Sequence, residues 1–354
     1  MDDEKGYALI IVLWTIVIVG ILFANLADET YLNNLLTRND LKKREVRDAS
    51  VSGLMYGIDT LKTEIDYNDL EGMTVKELEF EFGDDIDCQV KIEEVGSRLN
   101  LNYDPYWLLS SLKWWSKDLR KEIKENELFP NLSFAREIIE EKHDKDYKKF
   151  SFDVASKEVM TYGKFNINYS RLDSLKKLLE LRDVDENQIN IIMYEVNRIR
   201  REKKLIDEID DIPDLINGLD KSSFDKIKSY LSTDGRININ LVPKELLEVL
   251  IERILLSVDG DPKLASRYSS LIVNYRDDYR IEDFKKLQTR LNIFQGEGFN
   301  LLNVYFSTYS KYFSIKVKSL SKNLKIKKDL NVIVERLKVG RGTYKIKIIN
   351  WFES

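Results

Sequence analysis

The sequence predicts an α+β fold: a long N-terminal helix packed on a small antiparallel sheet, with a large helical domain inserted between the strands. Three observations predict it. An apolar run near the N-terminus continues, without a proline, into an amphipathic one. Two groups of residues, one early and one late in the chain, alternate apolar and polar with a period of two. Between them lie roughly two hundred residues of mainly helical pattern that contain an internal repeat.

The first element is the helix. From Tyr7 to Ala24 the only polar side chain is Thr15, and roughly eighteen helical residues span ~27 Å, close to the hydrocarbon thickness of a bilayer. A soluble core helix would keep a polar face, and this run has none. A cleaved secretory signal wants a basic start, a shorter apolar run and an A-x-A site; here the start is Asp2, Asp3, Glu4 and Lys5, and the far end reads Ala24-Asn25-Leu26-Ala27. The segment therefore reads as a membrane span. Beyond it Leu35, Leu36, Val46, Val51, Leu54, Met55, Ile58 and Leu61 recur at helical spacings, with Arg38, Lys42, Lys43, Arg44 and Arg47 between them. One helix is expected to continue to about Leu61. Ala49, Ser50, Ser52, Gly53 and Gly57 make one flank small, as close packing on another surface requires.

The strands follow. Leu78, Phe80 and Phe82 alternate with Glu79 and Glu81, the turn "GDD" comes next, and Ile86, Cys88, Val90 and Ile92 alternate with Asp87, Gln89 and Lys91. Near the other end Phe313, Ile315 and Val317, then Leu330, Val332 and Val334, then Tyr344, Ile346 and Ile348 repeat the pattern. A lone hairpin is marginal, so both groups are expected in one sheet against the long helix.

The middle repeats itself. Residues 151–168, "SFDVASKEVMTYGKFNIN", align without a gap to 223–240, "SFDKIKSYLSTDGRININ", and "SRLNLN" at 97–102 is a shorter echo. Gly163 and Gly235 allow a tight turn, while the pairs Asn166/Asn168 and Asn238/Asn240 can hydrogen-bond local backbone where the chain enters a helix. Each copy reads as a turn, a short extended segment and a helix. "LIDEIDDI" at 205–212 resembles "RIEDFKKL" at 280–287, and "YLST" at 230 resembles "YFST" at 305. The middle is expected to be duplicated helical modules.

Little in the chain suggests chemistry. Among 354 residues the net charge is -5 and charged residues make up 33%, so bulk charge points to no polyanionic partner. Cys88 is the one cysteine, which excludes an internal disulfide. His143 is the one histidine, set in the charge run "EEKHDKDYKK", and no nucleophile set, zinc spacing or phosphate loop can be built. No catalytic residue is assigned and no cofactor is required. Calcium is the one ion left open, by the acidic stretch Asp207, Glu208, Asp210, Asp211 and Asp214 and by Asp259 and Asp261, without a legible ligand set.

A glycine ahead of one long helix that is apolar at its start resembles the class III leader of type IV pilins and type II secretion pseudopilins. The resemblance implies cleavage after Gly6 by a prepilin peptidase, leaving Tyr7 as a methylated N-terminus. The fifth residue from that cut is glutamate in most of the family. Here it is Ile11, and the minor pseudopilin K family characteristically lacks the acid. That family also carries inserted sterile-alpha-motif-like or helix-hairpin-helix-like units, which "GKFNINYSRLDSLKKLLEL" and "DGRININLVPKELLEVLIERI" resemble, and "KYFSIKVKSLSKNLKIKKDLNVIVER" resembles its closing strands. The leader departs from the family's by being acidic.

The implied organisation is a leader at 1–6, a transmembrane half-helix at 7–26 and an amphipathic half at 27–65. First strands follow at 66–102, inserted helical modules at 103–304 and closing strands at 305–354. The implied function is non-enzymatic: a minor pseudopilin at the tip of the type II secretion pseudopilus, starting its assembly for export of folded proteins. It would be single-pass in the inner membrane, with a periplasmic domain. Its partners would be the I-, J- and H-type minor pseudopilins, the major pseudopilin and the prepilin peptidase, with no nucleic acid expected. The alternative is a membrane-anchored DNA-binding protein of a competence or type IV pilus system, because "NIN" before a helix also occurs in such modules. The apolar and acidic "LIERILLSVDGD" offers little to grip phosphate.

Overall fold

Alternating side chains from both ends of the folded part meet in one sheet. The structure, a computed structural model, describes residues 2–63, 74–294, 296–340 and 343–353. Helix α1 (Asp2–Lys62) is continuous and, at 1.5 Å per residue, ~90 Å long. Strands β1 (Thr74–Phe82) and β2 (Ile86–Glu94) form the expected hairpin, with Leu78 opposite Val90 and Phe80 opposite Cys88. Gly83 makes its turn at φ +65°, a conformation that costs glycine no steric clash.

The chain then leaves the sheet and returns beside the point of departure. Val95 N–H donates to Tyr312 O at 3.0 Å, and Glu94 of β2 stands opposite Phe313. The excursion holds three pairs of two-residue parallel strands. They are β3 (Leu99–Asn100) with β4 (Val159–Met160), β5 (Phe165–Asn166) with β6 (Leu231–Ser232), and β7 (Ile237–Asn238) with β8 (Phe306–Ser307). Each pair opens and closes one module, and among the described residues each module holds four α-helices. The first runs from Tyr106–Leu109 to Phe152–Glu158, the second from Leu172–Leu181 to Lys221–Ile227, and the third from Lys244–Ser257 to Glu297–Tyr305. The echo at 97–102 is thus the head of a complete module, and the insertion is a triplication where the sequence predicts a duplication. Strand β3, grouped with the first strands by its position, lies outside the main sheet, and so does β8 at the other end.

The modules do not stack in simple order. Residues of the first and third share one apolar core, in which Leu99, Trp114, Ile123 and Ile139 lie with Ile237, Leu250, Ile254 and Leu287. The second module builds its own around Phe165, Leu178, Ile192, Ile212 and Phe224. Strands β9 (Tyr312–Ser321), β10 (Lys327–Gly340) and β11 (Thr343–Glu353) then complete an antiparallel sheet of order β1-β2-β9-β10-β11. Its apolar face takes the second half of α1: Leu54 and Leu61 pack on Cys88, Val90, Ile92, Ile315, Val317 and Val332.

Candidate assembly surface

Helix α1 divides into two halves with opposite surroundings. From Val12 to Leu36 its large apolar side chains are exposed, Trp14 at 62% and Phe23 at 68% among them. The helix is long and apolar enough to cross a membrane, and among the described residues no other part of the chain covers its most apolar stretch. From Val46 onward the helix is seated on the sheet, with Val46, Ala49, Leu54 and Leu61 fully buried. Glycine makes the seat: a Cβ on Gly53 would stand 2.8 Å from Val317 Cγ1 and 2.9 Å from Cys88 Sγ, and one on Gly57 would stand 2.8 Å from Ile315 Cγ2. Between the halves, Lys42 pairs with Asp85 at 2.9 Å. Asp85 also accepts from Ser321 Oγ at 2.8 Å and Asn323 N–H at 2.9 Å. The helix, the β1–β2 turn and the β9–β10 turn are therefore tied at one carboxylate, which these bonds hold below the ordinary aspartate range, the Lys42 bond foremost. Gly6, Tyr7 and Ile11 fall within α1, and their side chains lie outside the described residues.

The repeated asparagines work as backbone substitutes. A two-residue strand pairs few amides, so the buried chain around it needs other partners. The first asparagine of each pair closes a turn: Asn100, Asn166 and Asn238 Oδ1 accept from the N–H of Asn102, Asn168 and Asn240 at 2.9, 2.8 and 3.0 Å. The second makes the same three bonds in every module. Asn102 accepts from and donates to Phe129 and donates to Thr161 O. Asn168 does so with Ile206 and Thr233, and Asn240 with Ile281 and Thr308. Gly163 reaches φ +121°. Gly235 has no room for a side chain, because a Cβ would fall 2.3 Å from Phe306 N.

A basic residue two positions before the first asparagine recurs as Arg98, Lys164 and Arg236. Arg236 is the deepest of them. It donates to Gly96 O, to Arg98 O and to the buried carboxylate of Asp104, so the third module is fastened to the first. Arg171 of the second module reaches Leu101 O and Asn102 O in the same way. The Asn100/Asn102 pair and these arginine contacts carry no assignment from sequence.

The other candidates have local roles. His143 stacks on Phe150 with centroids 3.7 Å apart. Asp210 pairs with Lys228 at 2.5 Å, and Asp261 caps a helical turn by accepting from Lys263 N–H at 3.0 Å. Among the described residues no group of three or more His, Cys, Asp or Glu side chains is arranged to hold a metal ion.

No family model matches the chain, and no curated protein does. Among solved structures the chain is similar to one in the crystal structure of the GspK-GspI-GspJ complex from the enterotoxigenic Escherichia coli type 2 secretion system. The identity is 12% and the TM-score 0.37, with 90% of this chain and 99% of that chain covered. At that score the likeness carries no weight for function.

Proposed function

We propose that the protein is a non-enzymatic minor pseudopilin of the K type, which sits at the tip of a type II secretion pseudopilus and helps begin its assembly. The observation that carries this reading is the division of α1: an uncovered apolar half followed, in one unbroken helix, by a half seated on an antiparallel sheet. A helix built so anchors in lipid before assembly and can hand its apolar half to neighbouring subunits afterwards. Uncompensated charge at the bilayer centre costs ~2.5–3.5 kcal/mol on insertion scales. Ile11, five residues from the expected cut, leaves this chain without the acid that other pseudopilins use toward a neighbour's terminal amine. A subunit without that contact, carrying three modules beside its sheet, suits the end of a filament better than its shaft.

The basic residues at 38–47 would by themselves favour a cytoplasmic position for that segment. The proposed orientation, with the domain periplasmic, follows from the pseudopilin reading and runs against that tendency. The proposed partners are the I-, J- and H-type minor pseudopilins, the major pseudopilin and the prepilin peptidase. The test is the mass and N-terminal sequence of the protein from cells with and without that peptidase. Tyr7 as a methylated terminus only when the peptidase is present is the expected result, and an unprocessed chain in both cells removes the reading.

A further inference from the structure

Two clefts in the helical domain share Trp107 in their walls. The larger, about 840 Å³, is lined by residues of all three modules and carries Arg200, Lys203, Lys204 and Arg253 against Asp207. The smaller, about 690 Å³, borders the helix Tyr106–Leu109 and carries Lys117, Arg120 and Arg171 against Asp173. Among the described residues seven cations and two carboxylates thus line them, in a chain whose net charge is -5.

Most of these cations have partners inside the fold, and they differ in how much of their hydrogen-bonding capacity is left over. Arg200 gives its donors to the carbonyls of Ile167 and Ser170, and Lys204 pairs with Glu202 at 2.8 Å. Lys203 donates to Ser257 O at 3.2 Å and Arg253 to the Tyr305 hydroxyl, yet both are exposed, as is Arg120, and each keeps further N–H donors for a ligand. Arg253 lies 5.3 Å from the Trp107 ring centre, while Arg120 and Arg171 lie 4.7 and 4.4 Å from that of Tyr106. A guanidinium held over a ring keeps its N–H edge for a planar partner such as a carboxylate. Arg171 is 93% buried by its 7% exposure, and its Nη1 is a buried donor with no hydrogen-bond partner among the described residues.

We infer that the two clefts flanking Trp107 bind a short acidic segment of a partner protein, its carboxylates meeting Arg120, Lys203 and Arg253 and its apolar side chains the exposed Leu256 and the half-buried Trp107. A nucleic acid fits less well. Its phosphates need a long cationic track, whereas the cations here are confined to two clefts and the net-acidic remainder of the chain repels an extended polyanion. The inference stands whether or not α1 is processed at Gly6.

The test is fluorescence anisotropy with the full chain in detergent and a fluorescein-labelled peptide of about eight glutamates, read from about 50 mM to about 500 mM salt. Micromolar binding that weakens with salt is expected. Lys203→Glu and Arg253→Glu each weaken it about tenfold, while Lys148→Glu, an exposed control outside the clefts, leaves it unchanged. Circular dichroism confirms that each variant is folded. Absence of binding at low salt, equal loss in the control, no loss in the two cleft variants, or tighter binding of an oligothymidylate of equal charge overturns the inference.

Discussion

The sheet and the three modules solve the same problem, a buried backbone, by opposite means. In the sheet, five paired strands satisfy one another, so the face under α1 can be apolar but for Ser319 and the helix can approach to glycine contact. In the modules each strand is two residues long, and buried asparagine and arginine side chains take over the bonds that a ladder would supply. Shape complementarity governs the first region and polar satisfaction the second. Substitutions should therefore hurt the two regions by different mechanisms.

The largest effect is expected at Arg236. Replacing it by Met leaves Asp104, a buried carboxylate, without its cation, and breaking one side of such a pair costs ~3–5 kcal/mol. Urea unfolding followed by tryptophan emission reads this region well, because Trp107, Trp114 and Trp115 all lie in the first module. The double variant Arg236→Met with Asp104→Asn should recover part of the loss. No recovery would mean that the carbonyl contacts of Arg236, and not the ion pair, hold the first and third modules together.

Next is Asn240→Ala, which strands the N–H and O of Ile281 and the O of Thr308 in a buried setting. At ~1–3 kcal/mol for each unsatisfied group, with partial rescue by water, the expected loss is ~3 kcal/mol. Asn168→Ala, at a half-buried position, should cost less. Gly53→Val tests the sheet instead. Its Cβ would press on Val317, Cys88 and Val90 within 3.0 Å, and overpacking of this kind costs ~2 kcal/mol. If Gly53→Val is as stable as the wild-type, the seat of α1 on the sheet is not limited by shape and the contrast with the polar-limited modules is wrong.

How much of this could be read beforehand follows from the same contrast. The sheet and helix were legible because burial on one face imposes a period, and Leu78, Phe80, Ile315 and Val332 all face α1 as their alternation requires. The module clasp was half legible. Aligning 205–212 with 280–287 and "YLST" with "YFST" brings Ile206 into register with Ile281 and Thr233 with Thr308, the residues whose main chains Asn168 and Asn240 bind. The first module escaped because a side chain that binds main-chain atoms places no demand on its partner's residue type, so Phe129 leaves no signature. The basic clefts were hidden for another reason: residues 117–120, 171, 200–204 and 253 converge only through packing, and bulk charge averages them away. Gly6, Tyr7 and Ile11 remain a reading of the sequence alone.

The smallest predicted effect lies where the two regions join. Glu94 ends β2, is fully buried, and accepts from Ser97 N–H at 3.0 and 3.3 Å. Burial pushes its carboxyl up from the ordinary 4.5 to about 7, against the opposing pull of Ser97 and Arg98. The folded chain then holds this proton more tightly than the unfolded chain. The contribution is fully present below the unfolded value and is lost as pH rises through about 7. At ~1.4 kcal/mol per tenfold change the loss is bounded at ~3 kcal/mol, and water drawn in beside the ionised group reduces it to ~1–2 kcal/mol. Glu94→Gln cannot ionise, so its urea midpoint should change less than the wild-type's between about pH 5 and about pH 8, leaving the variant relatively stabilised at the higher pH. Equal pH slopes in the two proteins would show that Glu94 already has a charged partner or water when folded. The junction between sheet and modules would then be wetter than its packing indicates.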